Sequence, residues 1–130
     1  MKQALLALML TLSGAASAGT QEVWQHHIDA WTARDADEIV ADYTDDSVVV
    51  LVDRVYRGKA EIRGLFVKLF ETFDKAEKHE IDPALVVGKI VYLTWRATIE
   101  GIEYPLGTDT FVIEEGKILY QTITTSPSLF

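Results

Sequence analysis

The sequence predicts an α+β domain in which three N-terminal helices pack on a strongly curved, mainly antiparallel sheet. In the first half of the chain, apolar residues recur every three or four positions, as in amphipathic helices. After Asp82-Pro83, short β-branched runs alternate with glycine-containing turns, which is typical of an antiparallel meander. The apolar stripes of the helices can cover only one face of such a sheet, so we expect the sheet to wrap around them.

The first helix is predicted over Gln21–Arg34, where Trp24, His27 and Trp31 share one face. A histidine on an apolar face is more often a core residue than a catalyst. Its ordinary pKa near 6.5 would nevertheless suit proton transfer if the ring lined a cavity. His26 points away from this stripe, so we expect it to be exposed to solvent.

The second and third helices follow with a strand between them. Asp35 is predicted to cap the second helix, and Tyr43 belongs to the buried face of that helix. The β-branched run Ser47–Val52 predicts a strand that is covered on both faces. The third helix, Lys59–Phe73, has a regular apolar stripe that includes Phe66, which packing against the sheet explains without a ligand.

The second half of the chain predicts strands joined by tight turns, with Gly88, Glu100-Gly101 and Glu115-Gly116 as the turn positions. The predicted strands are Ala84–Val87, Lys89–Glu100, Tyr104–Ile113 and Lys117–Thr125.

Asp109 is unusual because aspartate is depleted in strand interiors, and this residue lies inside a segment that reads as a strand. An exposed or edge position would explain it. The alternative is a carboxyl group aimed into a pocket, where loss of solvation would raise its pKa and could leave it protonated as a hydrogen-bond donor.

A two-residue turn at Glu115-Gly116 would set Asp109 opposite Thr122 and Phe111 opposite Tyr120, all on one sheet face. Tyr92 and Thr94 would join that face through the preceding hairpin. A bulge near Pro105 would bring Trp95 there instead, and the sequence leaves both registers open.

The N-terminus has the pattern of a secretory signal peptide over residues 1–18. Lys2 precedes an apolar run from Ala4 to Leu12, and Ala16-Ser17-Ala18 forms an A-x-A cleavage site. The run is too short for a membrane anchor, which needs about 20 apolar residues. We therefore expect a single mature domain, residues 19–130, in a bacterial periplasm or secreted.

Composition excludes several classes of function. A net charge of -8 argues against nucleic acid and anionic membrane surfaces as partners. The chain has no cysteine, so it has neither disulfides nor thiolate chemistry. The three histidines, His26, His27 and His79, lack a spacing that suits a metal, so we expect neither a metal site nor a cofactor.

Three parts of the chain carry recognisable motifs, namely residues 31–40 with 43–46, residues 56–63, and residues 108–113 with 116–118. Together these segments resemble the SnoaL-like branch of the nuclear transport factor 2-like superfamily. The resemblance implies a cone-shaped fold that closes a pocket, with ketosteroid isomerases, polyketide cyclases, scytalone dehydratase and non-catalytic binding domains as relatives. It also implies a homodimer through the outer face of the sheet.

The resemblance to ketosteroid isomerase, in which a protonated aspartate donates a hydrogen bond within an oxyanion hole, implies roles for particular positions. The aspartate donor of that enzyme matches Asp109, and its tyrosine donor falls on His27. Its carboxylate base falls on Leu51, which cannot transfer protons, and Asp53 two residues later could replace it only if the strand end bends inward.

Three hypotheses follow for function. The first is a cofactor-independent isomerase, dehydratase or cyclase with His27 and Asp109 as catalytic residues. The second is a non-catalytic domain that binds a small hydrophobic molecule in the same pocket, and the third is a dimeric assembly domain. The residues predicted to bind the ligand are Trp24, Trp31, Tyr43, Asp53, Phe66, Trp95, Phe111 and Tyr120.

Overall fold

The computed structural model describes residues 18–130, so the predicted signal peptide lies almost wholly outside the described part of the chain. Three helices precede most of a seven-stranded sheet. The helices are α1 (Thr20–Ala33), α2 (Ala36–Ala41) and α3 (Gly58–Phe73). The strands are β1 (Tyr43–Leu51), β2 (Arg54–Arg57), β3 (Ala76–Ile81), β4 (Leu85–Val87), β5 (Ile90–Ile99), β6 (Ile102–Glu114) and β7 (Lys117–Thr125).

The strands form one sheet in the order β2-β1-β7-β6-β5-β3, with β4 paired to β5. Only the β1–β7 pair is parallel among the described strands. The apolar stripes of α1 and α3 pack on one face of this sheet, which curves around them. This architecture confirms the predicted fold class.

Local interactions and backbone conformation define the ends of the helices. The Asp35 carboxylate accepts hydrogen bonds from the backbone N–H groups of Asp37 and Glu38, both at 3.1 Å, which confirms it as the N-cap of α2. Arg34 ends α1 in the left-handed conformation, with φ of 56°. Gly58 begins α3 with φ of 79°, and a Cβ there would lie 3.0 Å from the Asp45 carbonyl oxygen.

The start of β1 differs from the prediction. Helix α2 ends at Ala41, so Tyr43 is the first residue of a strand and not part of a helical face. Asp45 and Asp46 lie in the same strand, at an irregularity of the β1–β7 pairing. Ser47 explains the difference, because its buried hydroxyl donates to the Ile118 carbonyl and accepts from the Thr44 N–H, tying this segment to β7.

Strand β3 was not predicted. Half of its residues, Ala76–Ile81, are charged, and the segment has little apolar alternation. Pairing with β5 supplies the missing driving force, with His79 opposite Ala97 and Ile81 opposite Trp95. Tertiary pairing thus overrides a weak local β-propensity.

Two irregularities set the register of the long strands. The turn at Glu115-Gly116 pairs Glu114 with Lys117 as predicted, but Val112 pairs with Tyr120 because β7 carries an extra residue, Leu119. Asp109 therefore lies opposite Ile123 and Phe111 opposite Gln121, so the predicted partners Thr122 and Tyr120 were wrong by one residue. The bulge near Pro105 is present, and Trp95 pairs with Gly107.

The concave face of the sheet and the three helices enclose one hydrophobic core. Its fully enclosed members include Ile39, Ile62, Val49, Val91 and Ile118. No helix in residues 18–130 is long and apolar enough to cross a bilayer.

Candidate active site

A cavity lies between helices α1 and α3 and the concave face of the sheet. Its empty volume is about 520 Å³, counting the mouth that opens to solvent. Aromatic and aliphatic side chains make up most of the wall, and the polar contributions come from His27, His79, Asp109 and Gln121. An apolar cavity with a few convergent polar groups is the usual form of a small-molecule site.

Asp109 is the only carboxylate among the described residues that line this cavity. Its Oδ1 accepts a hydrogen bond from Trp95 Nε1 at 2.9 Å, and its Oδ2 accepts one from Gln121 Nε2 at 3.0 Å. The amide oxygen of Gln121 in turn accepts a hydrogen bond from the buried Tyr43 hydroxyl. A chain of four side chains therefore fixes the orientation of the carboxyl group.

The environment of Asp109 shifts its acid strength. Burial raises the pKa of Asp109 to about 6, and the hydrogen bonds from Trp95 and Gln121 counteract part of this rise. An indole N–H can only donate, so the Trp95 contact favours the carboxylate form. Asp109 is thus mainly ionised at neutral pH, and a pKa of about 6 lies near the range expected of a general base.

His27 lies in the wall beside four aromatic rings. Its ring centroid is 5.1 Å from that of Phe111, 5.7 Å from Phe66, and 6.0 Å from both Trp24 and Tyr43. Burial lowers the pKa of His27 to about 3, so the ring is neutral at physiological pH. Within residues 18–130, Nδ1 of His27 is buried and has no hydrogen-bond partner.

His27 and Asp109 do not form a hydrogen bond with each other. Both side chains line the cavity, but the two oxygens of Asp109 bind Trp95 and Gln121. The carboxylate nearest to Nδ1 of His27 belongs to Asp42, whose Oδ2 is 3.8 Å away. The two residues can therefore act on one ligand from separate positions.

Five of the eight predicted ligand-binding residues line the cavity, namely Trp24, Trp31, Phe66, Trp95 and Phe111. Tyr43 lies one step behind the wall, where its hydroxyl supports Gln121.

The placements predicted for Tyr120 and Asp53 were wrong. The extra residue Leu119 turns Tyr120 to the outer face of the sheet, where it is 55% exposed. Asp53 lies in the exposed turn between β1 and β2, because Leu51 pairs directly with Arg54 and the chain reverses there. The strand end does not bend inward, so Asp53 does not reach the cavity.

Sequence reasoning missed two polar residues of the cavity. Gln121 faces inward only because of the bulge at Leu119, and a regular register would have placed it outside. His79 lies on the unpredicted strand β3, where its ring centroid is 4.5 Å from that of Phe73. Burial is the main cause that lowers the pKa of His79. The one sequence feature that could have indicated a role for His79 was its position as an isolated histidine in a charged segment.

The part of the chain that the structure describes contains no cluster of His, Cys, Asp or Glu residues with the geometry of a metal site. The polar side chains that line the cavity comprise one carboxylate, two imidazoles and one amide. Such a set can bind, orient and exchange a proton with a ligand that is otherwise held by apolar contacts.

The fold and the cavity together define a class of protein, in which a cone-shaped α+β domain encloses a candidate small-molecule site. Residues 24–121 match the model of the SnoaL-like domain family. The chain belongs to this family, which confirms the resemblance seen in its motifs.

Solved structures share the fold. A steroid delta-isomerase from Pseudomonas aeruginosa matches with a TM-score of 0.72 at 17% identity, covering 88% of this chain and 86% of the other. A candidate polyketide cyclase from Sinorhizobium meliloti matches with a TM-score of 0.65 at 20% identity, covering 78% of this chain and 93% of the other. A nuclear transport factor 2-like protein of unknown function from Cytophaga hutchinsonii matches with 0.69 at 12% identity, covering 87% and 95%. No curated protein matches this chain.

Proposed function

We propose that this domain binds a small, largely apolar molecule in its cavity and catalyses a proton transfer without a cofactor. The observation that carries the proposal is Asp109, a carboxylate with raised pKa that faces an aromatic cavity and is oriented by Trp95 and Gln121. A purely structural role would not require a carboxylate at this position.

In the proposed reaction, Asp109 takes a proton from an acidic C–H or O–H group of the ligand. His27 is neutral, so its Nε2 can take up a proton from a hydroxyl group of the same ligand and return it in a later step. Isomerisation, dehydration and cyclisation can all proceed by such steps. The names of the two solved relatives, a steroid delta-isomerase and a candidate polyketide cyclase, fit this reaction class.

The rate enhancement that acid–base groups can provide limits which substrates this site could convert. One positioned acid–base group contributes about 10²–10⁴-fold to a rate. Two such groups suit substrates whose protons are already moderately acidic, such as those next to a carbonyl group. We therefore propose carbonyl compounds with an apolar body as substrates.

The test begins with native mass spectrometry of the purified protein, which identifies the chemical class of any ligand that co-purifies. Binding and turnover of that ligand, or of a panel of aromatic ketones, are then measured in wild type, Asp109→Asn and His27→Gln, with tryptophan fluorescence reporting binding. The matched control is Asp53→Asn, an exposed carboxyl group outside the cavity. We expect a loss of turnover in the two cavity variants only. Equal turnover in all four proteins would refute the proposal.

A second candidate function, assembly as a homodimer, is favoured by the outer face of the sheet. Leu85 pairs with Tyr92 and Val87 with Ile90, and these side chains are 38% to 71% exposed. Exposed apolar patches of this kind often mark protein interfaces. We expect a dimer in sedimentation experiments that Val87→Lys converts to a monomer. A monomeric wild type at all concentrations would exclude this function.

Export to the periplasm is also a proposal, supported by the A-x-A pattern that ends at Ala18. The intact mass of the protein recovered from a periplasmic fraction tests it. We expect a chain that begins at Gly19, and a full-length mass in the cytoplasmic fraction alone would contradict export.

A further inference from the structure

We propose that Asp42 positions His27 by holding the proton of its ring on Nδ1, and that His26, Asp42 and His27 together pass protons between the cavity and solvent. This inference rests on the proposed function, because such a path is useful only if His27 exchanges protons with a ligand.

The path starts at the surface with His26, whose side chain is 43% exposed. Its Nδ1 lies 2.7 Å from Oδ1 and 2.9 Å from Oδ2 of Asp42, and its Nε2 lies 2.7 Å from Oε2 of Glu38. A ring nitrogen without a proton would face a carboxylate oxygen with its lone pair. Both contacts therefore favour the imidazolium form, and the hydrogen bond to Asp42 is the main cause that raises the pKa of His26.

Asp42 connects this exposed ring to the cavity wall. It is the C-cap residue of α2, and its side chain is only 10% exposed. Its Oδ2 lies between the two histidines, 2.9 Å from Nδ1 of His26 and 3.8 Å from Nδ1 of His27. Burial raises the pKa of Asp42, and the hydrogen bond with His26 and the nearby charge of Lys117 oppose part of this rise. The Lys117 Nζ donates to the Ala41 carbonyl at 2.8 Å.

The buried Nδ1 of His27 needs a partner. Buried polar atoms without hydrogen bonds are rare in folded proteins, and they often mark sites with a functional role. The separation of 3.8 Å from Asp42 exceeds the hydrogen-bond range of about 2.7–3.2 Å. The proposed path therefore requires the Asp42 carboxylate, which contacts His26 through both oxygens, to move closer to Nδ1 of His27.

The low proton affinity of His27 makes such a path necessary. A ring with a pKa of about 3 cannot store a proton at neutral pH. It can still transfer one if Nδ1 releases its proton as Nε2 gains another. Asp42 is the acceptor on the Nδ1 side, and the ring stays neutral throughout.

The proton count balances along the path. A proton from the ligand binds Nε2 of His27, and the Nδ1 proton moves to Oδ2 of Asp42. Neutral Asp42 no longer stabilises the imidazolium of His26, which then releases its Nε2 proton to Glu38 or water. One proton enters at the cavity and one leaves at the surface, and the reverse sequence delivers a proton to the ligand.

The first experiment needs neither a ligand nor a variant. The ring nitrogens of the folded protein are observed by NMR after labelling the histidines with ¹⁵N, at pH 7.5. We expect His27 to carry its proton on Nδ1. A proton on Nε2 would overturn the positioning role, whether or not turnover has been found. The observed tautomer therefore separates failure of this inference from failure of the proposed function.

Three variants complete the test. Asp42→Asn should shift the tautomer of His27 towards Nε2–H, whereas the control Glu38→Gln, which removes the carboxylate that faces only His26, should leave it unchanged. His26→Gln should keep the Nδ1–H tautomer but slow exchange of that proton with solvent by about a hundredfold, the lower end of the contribution of one acid–base group. An unchanged exchange rate in folded His26→Gln would overturn the proton path.

Discussion

The indole ring of Trp95 occupies the space where a side chain at Gly107 would begin. The two residues pair across β5 and β6, and a Cβ built on Gly107 would lie 2.1 Å from Cε2 of Trp95. This close approach lets the indole lie over the sheet and donate its N–H to Asp109 at 2.9 Å. The glycine therefore shapes the carboxylate site without contributing an atom to the cavity wall.

Gly107→Ala should displace Trp95 and destabilise the protein. Overpacking of this kind costs about 1–3 kcal/mol, and the Trp95–Asp109 hydrogen bond would be lost as well. Gly64→Ala in α3 is the matched control, because apart from its chain neighbours and the adjacent backbone of its own helix no atom lies within 4 Å of the added methyl group. The free energy of unfolding of this control should increase by up to about 1 kcal/mol, because alanine has a higher helix propensity than glycine. Urea unfolding measures both, and equal stabilities of the two variants would contradict this account.

Tyr43→Phe should destabilise the protein by about 1–3 kcal/mol, because it leaves the buried amide oxygen of Gln121 without a donor. The control is Tyr120→Phe, which removes a hydroxyl group from a ring that is 55% exposed. Its effect should stay within about 0.5 kcal/mol. If thermal unfolding shows similar losses for both, the Tyr43–Gln121 bond does not contribute as described.

The stability of Asp109→Asn relative to the wild type should increase as pH rises. The pKa of Asp109 is raised to about 6 in the folded protein, so the wild type binds a proton more readily folded than unfolded. The stability cost of ionised Asp109 is present above pH 6 and is relieved as pH falls towards 4.

From this shift, the free-energy difference between Asp109→Asn and wild type should change by about 2–3 kcal/mol between pH 4 and pH 8. Denaturant unfolding at both pH values measures it. Asp53→Asn controls for the general effect of removing a carboxylate. A difference that does not vary with pH would show that Asp109 titrates normally.

The adjacent histidines should affect acid stability with opposite signs. The lowered pKa of His27 means that the unfolded chain takes up a proton below about pH 6.5, whereas the folded protein does so only near pH 3. His27 therefore destabilises the fold increasingly as pH falls. Replacing it with phenylalanine should give a stability advantage that grows by about 3 kcal/mol between pH 7 and pH 4.

His26 provides the contrast. Its pKa is raised, so its stabilising contribution is present at low pH and is lost as pH rises through the folded pKa. His26→Gln should therefore lower stability at pH 5 more than at pH 9. Denaturant unfolding across this range measures both histidine variants, and parallel pH profiles for the two would be inconsistent with the structure.

The sequence by itself determined the class of the fold and much of the cavity. The helical periodicity placed Trp24, His27 and Trp31 on one buried face, because the spacing of a helix depends only on local backbone geometry. Asp109 stood out for a similar reason, since an aspartate inside a strand needs an explanation. The motifs also identified the family, which the match over residues 24–121 confirms.

Only the tertiary structure decided which strand residues face the cavity. Side chains alternate along a strand, so one extra residue reverses every position beyond it. The extra residue Leu119 turned Gln121 inward and Tyr120 outward, and the bulge near Pro105 selected Trp95. The Asp42–His27 contact likewise depends on how α1 packs on α2, which no local pattern encodes.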